Sequence, residues 1–138
     1  MNQTTAVPAV TRLLAPTATA VGAAAAFTYV GLVDPNRPGH YPVCPLLRLT
    51  GIYCPGCGGL RSAHAIAHGD LTAALGFNAL AVAAFGLFAV FLGLWFHRAA
   101  RGRPMDLRFR PVQGWLIMAL ALVFMLVRNL PFGSVLAP

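Results

Sequence analysis

Between Leu71 and Phe96 the chain reads LTAALGFNALAVAAFGLFAVFLGLWF, without a single charged residue. Leu80, Val82, Phe85, Leu87, Phe88, Val90, Phe91, Leu92, Leu94 and Trp95 put apolar groups on every face of a helix. A helix that is apolar all round has hydrocarbon for its solvent, and a run this long crosses a bilayer. Asp70, just after Gly69, is placed as its N-cap, with a carboxylate that accepts from the first free N–H groups and meets the positive end of the dipole. Trp95 and His97-Arg98 mark the far interface.

Two more spans follow the same logic. One runs from about Thr11 to Val33 and stops at Asp34-Pro35-Asn36-Arg37-Pro38-Gly39, where the prolines and glycine forbid continuation. It is rich in alanine, which is barely hydrophobic, so this helix is expected to lean on its neighbours, where small residues allow close approach. Thr17-Ala18-Thr19-Ala20 has the small residues of a signal-peptide cleavage site. However, Arg12 is the only early basic residue and the apolar run continues past that pattern, so the segment is read as a span. The other span, from about Pro111 to Leu130, opens with Trp115 at an interface and stops at Pro131.

Composition agrees with a membrane protein. Hydrophobic residues make up 58% of the 138 and charged residues only 9%, against about a quarter in soluble domains. The mean hydropathy is +0.71. The expected fold is all-α: one membrane domain over residues 1–138, with spans at about 11–33, 71–96 and 111–130. A cysteine-containing loop, re-entrant or interfacial, fills 34–70, and a basic loop fills 97–110. The net charge of +7 comes from arginines that are scattered or confined to that basic loop, with no aromatic residues interleaved, which argues against nucleic acid. The bilayer is one expected partner. Three spans make a thin bundle, so a second copy or another membrane protein is the other.

Orientation is read from arginine asymmetry. Arg98, Arg101, Arg103, Arg108 and Arg110 stand against only Asp106 in the loop 97–110, which assigns it to the cytoplasm. Arg37, Arg48 and Arg61 in the first loop compete less well, because Asp34 and Asp70 share their segment. By alternation the N-terminus is cytoplasmic and the loop 34–70 external.

That loop holds all three cysteines, in Cys44-Pro45 and Cys54-Pro55-Gly56-Cys57-Gly58. Two thiols separated by Pro-Gly lie on one side of a tight turn, a shape that suits either a metal or a disulfide. An external loop sits where disulfides persist, yet one bridge among three cysteines leaves a thiol over. After the turn, Leu60 to His68 is expected to form a short helix ended by Gly69, with Arg61, His64 and His68 at i, i+3 and i+7 on the face looking back at the cysteines. Leu60, Ala63, Ile66 and Ala67 form its apolar side.

A second polar set is expected at the same membrane side: Asp70 and Asn78 near the start of the second span, Arg128 and Asn129 at the end of the third. An arginine at that depth generally needs a partner. The expected pair is Asp70 with Arg128 or Arg61, with Asn78 hydrogen-bonded between helices.

Cys44-Pro45-Leu46, the run Leu49 to Arg61, His68-Gly69-Asp70-Leu71, Asn78 and Arg128-Asn129-Leu130-Pro131 together resemble a bacterial family of small membrane proteins known only as a domain of unknown function. Its pattern is a Cys-Pro, a Thr-Gly, a Cys-Pro-x-Cys-Gly-x-x-Arg, a Gly-Asp and an Asn-Pro. The likeness covers about residues 34–131. Leu60 stands where that family often has Thr, and Ala79 where it often has Pro. The resemblance implies a multi-pass protein of a bacterial inner membrane, and no reaction.

Function is therefore read from the cysteines, and three accounts stay open. Cys44, Cys54 and Cys57 with His64 or His68 form a donor set for zinc or another soft metal. Alternatively, Cys54 or Cys57 acts as a thiol–disulfide nucleophile with Cys44 resolving. In the third account a disulfide or a packed turn orders the loop of an accessory or assembly component. The chain offers no Ser-His-Asp set, phosphate loop or carboxylate pair, so a non-enzymatic role is the leading expectation.

Overall fold

A computed structural model describes residues 9–106 and 108–136. Among these residues every regular element is helical: α1 (Ala9–Leu32), α2 (Pro45–Thr50), α3 (Gly59–Ala67), α4 (Leu71–Ala100), α5 (Pro111–Arg128) and a 3₁₀ turn at Pro131–Leu136. Three of them, α1, α4 and α5, are long and apolar enough to cross a membrane. The protein is a multi-pass membrane protein with its cysteines in the loop between the first two spans.

Local chemistry accounts for the boundaries. Asp70 caps α4 as expected, its Oδ1 accepting from Ala73 N at 2.8 Å. Pro45 and Pro111 occupy first-turn positions of α2 and α5, where a missing N–H is harmless. Gly51 ends α2 at φ 72° and Gly58 precedes α3 at φ 84°. A side chain at either position would be forced into the left-handed region.

The helices depart from the expected spans by a few residues, the first covering Ala9–Leu32. The second span continues to Ala100, and the third ends at Arg128 rather than Leu130. Pro131 stops α5 but begins a 3₁₀ turn, a conformation its fixed φ tolerates.

The larger difference lies inside α4, which breaks at Asn78 (φ −163°, ψ 94°). Thirty residues of unbroken helix would measure about 45 Å, well beyond a hydrocarbon core of about 30 Å. The break divides α4 into a stub before Asn78 and a shaft after it.

Packing is inverted relative to a soluble protein. Among the described residues the largest fully buried side chains are Arg128, Asn78, Pro16 and Ser62, while Leu87 and Trp115 are more than 70% exposed. In lipid that is the favourable order, because apolar surface has no reason to hide and polar groups must find partners inside. Helix α3 packs against α4, and α1 against both. Phe27 meets Phe85 edge to face at 5.2 Å. Gly31 lets α1 approach α3 so closely that a Cβ there would stand 3.2 Å from that of Ala67. Helix α5 is tied to the rest by Arg128 and Asn129 at its C-terminal end and by the 3₁₀ turn, which packs on α4.

Candidate metal centre

The site is built on the turn Cys54–Cys57. Cys57 N donates to Cys54 O at 3.1 Å and Gly59 N to Gly56 O at 3.0 Å, which rolls the chain directly into α3. Cys54 N donates to Cys57 Sγ at 3.3 Å. These bonds place Cys54 Sγ 3.0 Å from Cys57 Sγ, while Cys44, entering from the start of α2, brings its sulfur within 3.5 Å of Cys54 Sγ. All three sulfurs lie within 4.8 Å of one another. None is bonded to another, since a disulfide requires about 2.05 Å. Four donors about 2.3 Å from a zinc ion stand roughly 3.8 Å apart, a spacing within the range these sulfurs already occupy.

The three thiols are not equivalent. Cys44 is pulled down to about 7 from the usual thiol value, first by the Leu47 backbone N–H in the first turn of α2 and then by hydrogen bonds with the other two cysteines. Cys57 is pushed up to about 12, first by burial and then by its hydrogen bonds with Cys54 and Cys44. The half-buried Cys44 is thus more readily deprotonated than the buried Cys57.

Three side chains from the ends of two spans clamp this turn. Asn78 Nδ2 donates to Pro55 O and to Cys57 O, both at 2.9 Å. Arg128 Nη1 donates to Cys57 O at 3.0 Å and to Cys54 O at 3.2 Å. Asn129 Oδ1 accepts from Tyr53 N at 2.8 Å, and its Nδ2 donates to Tyr53 O at 2.9 Å. The Arg128 guanidinium also lies 5.6 Å from the Tyr53 ring centroid and 5.1 Å from that of Phe124.

The same residues repair the break in α4. Asn78 Oδ1 accepts from Ala81 N at 2.9 Å and so caps the shaft. Phe77 O, four residues before Ala81, is met by Arg128 Nη2 at 3.4 Å. Ala74 O, four residues before Asn78, accepts from Ser62 Oγ at 2.8 Å. Every one of these groups would otherwise be stranded in apolar surroundings at a cost of about 1–3 kcal/mol. Ser62 was missing from the expected site; the readable signal was one hydroxyl beside the apolar face of α3.

Several expected partners stand elsewhere. His64 points to the end of α1, with Nδ1 2.8 Å from Val30 O and Nε2 3.8 Å from Asp34 Oδ1. His68 Nδ1 lies 2.9 Å from His64 O and its ring stacks on that of His64. Among the described residues the converging metal-donor group is the three cysteines alone. Asp70 pairs with neither Arg61 nor Arg128, because its carboxylate is exposed and engaged as the α4 cap. Arg128 is 1% exposed and meets carbonyl oxygens instead, and its Nε has no hydrogen-bond partner. Asn78 anchors the cysteine turn and the start of the shaft, a larger task than the interhelical bond expected of it.

Residues 44–92 match the profile of a family described as "Protein of unknown function (DUF2752)". The matched segment contains α2, the cysteine turn, α3 and most of α4. No curated protein and no solved structure matches the chain.

Proposed function

We propose that this protein is a non-enzymatic accessory or assembly component of a membrane, whose loop 34–70 is ordered by a zinc ion held by Cys44, Cys54 and Cys57. The observation that carries this reading is the convergence of three unbonded sulfurs within 4.8 Å. Charge supports it as well. Three thiolates around a divalent ion leave one net negative charge, and Arg128 brings one positive charge to the carbonyls of the same turn. A cation without a carboxylate partner at that depth is expensive, and an anionic metal centre beside it offsets the expense. The arginine-rich stretch 97–110 favours the cytoplasm for that loop, and in this reading the cysteine site faces the external side of a bacterial inner membrane.

The close Cys54–Cys57 pair and the lowered Cys44 thiol favour a second reading, thiol–disulfide exchange. Purification in detergent without reductant separates the two. Zinc at one per chain, lost when Cys54 and Cys57 are changed to Ser, supports the metal site. Metal-free protein with one free thiol after denaturation would overturn it in favour of a bridge.

A further inference from the structure

Beside the sulfurs opens a cavity of about 510 Å³, lined by all three cysteines together with Arg37 and Arg61. Zinc prefers four donors in a structural site, and three protein ligands leave a fourth to come from outside the chain. Of the two histidines that could have closed the set, His64 is turned to Val30 O and Asp34, and His68 to the carbonyl and ring of His64. Among the described residues no carboxylate joins the sulfurs either.

Two features give the cavity a chemical preference. Arg61 makes no ion pair among the described residues, and Arg37 reaches Asp34 only at 3.9 Å from a largely exposed position. Both guanidinium groups are therefore free to meet an anion, and each offers the planar fork that suits a carboxylate. Cys44 and Cys54 are only half-buried, so the sulfur cluster is open toward this side.

We propose that the fourth position of the metal is taken by a small soluble thiol that carries a carboxylate, with its sulfur on the metal and its carboxylate against Arg61. This rests on the zinc reading above. In the exchange the incoming thiol gives its proton to solvent, its sulfur bonds to zinc, and a metal-bound water leaves. No electrons change hands.

Cobalt(II) provides the readout, because its visible absorption reports ligand type and number. The full-length protein in detergent is loaded with cobalt, passed through gel filtration, and titrated with mercaptoacetate and with neutral mercaptoethanol. The expected result is a change in the cobalt bands with both probes. Mercaptoacetate should act at a concentration roughly tenfold lower, the effect of one charge-assisted hydrogen bond. Arg61→Ala should erase that difference while leaving the response to mercaptoethanol intact. Cobalt bands that neither thiol moves would overturn the proposal and leave the metal site standing. So would equal responses to both thiols in the unaltered protein. Failure of cobalt to bind at all would overturn the zinc reading and this one with it.

Discussion

Asn129 closes a ring of two hydrogen bonds with the backbone of Tyr53, accepting at 2.8 Å and donating at 2.9 Å across 76 positions of sequence. Its side-chain amide thus copies the pairing of a neighbouring strand. Asn129→Ala removes both bonds, worth about 1–3 kcal/mol together. Asn129→Asp keeps the acceptor but sets a carboxylate against Tyr53 O. Both variants should label faster at Cys54 with a thiol reagent, and the Asp variant should be the faster of the two. Mass-spectrometric mapping of labelled peptides reads the order.

Arg128 serves three carbonyls at once, those of Cys54, Cys57 and Phe77. A lysine retains the charge but presents it as a point and lacks the planar fork. Arg128→Lys should therefore lower stability by about 2–4 kcal/mol, seen as a lower midpoint when the detergent-solubilised protein is heated and followed by size exclusion. Equal midpoints would mean that charge alone matters there.

Asn78 has two separable duties. Asn78→Asp keeps the oxygen that caps Ala81 and loses the donors to Pro55 and Cys57, whereas Asn78→Leu loses both. The Asp variant should keep the helix content of the parent by circular dichroism but expose the thiols. The Leu variant should lower expression and thermal stability further. If the two variants were equally stable, the capping role would be excluded.

Thiol reactivity should follow the inequality of the cysteines. With limiting iodoacetamide at pH 7 and no metal, Cys44 is modified before Cys57, as the values of about 7 and about 12 require. The Cys44 rate should fall about tenfold for each pH unit below its midpoint and level off above it. Stability follows the same signs. Cys44 contributes above its unfolded value, and that contribution is lost as pH falls through about 7. Cys57 acts oppositely, because the unfolded chain ionises near 9 while the fold resists until about 12, so stability falls as pH rises through that window.

The parts of this architecture that rest on local chemistry were legible. Apolar runs and their Pro/Gly stops located the spans, and Cys-Pro-Gly-Cys announced a tight turn. Asp70 was recognisable as a cap from its place alone. What lay beyond reach depended on tertiary partners. Asn78 is neither proline nor glycine, and nothing nearby says that a helix breaks there. The break holds because Ser62 and Arg128 receive the freed carbonyls. The shared face of His64 and His68 was visible in their spacing, but its direction was not. His64 turned to Val30, whose carbonyl at the end of α1 has no helical partner of its own, and His68 to the carbonyl of His64. The pairing of Asp70 with an arginine failed for a related reason, since one carboxylate cannot cap α4 and also reach inward.

The clamp on the cysteine turn has a mechanical side. Arg128 and Asn129 are neighbours at one end of α5, and both grip residues 53–57 through bonds between 2.8 and 3.2 Å. Sliding α5 along its axis by a single residue, about 1.5 Å, would stretch or misalign these contacts. The position of α5 along its axis is therefore coupled to the backbone of the turn that carries Cys54 and Cys57, so a membrane that displaces the helix is expected to strain that turn.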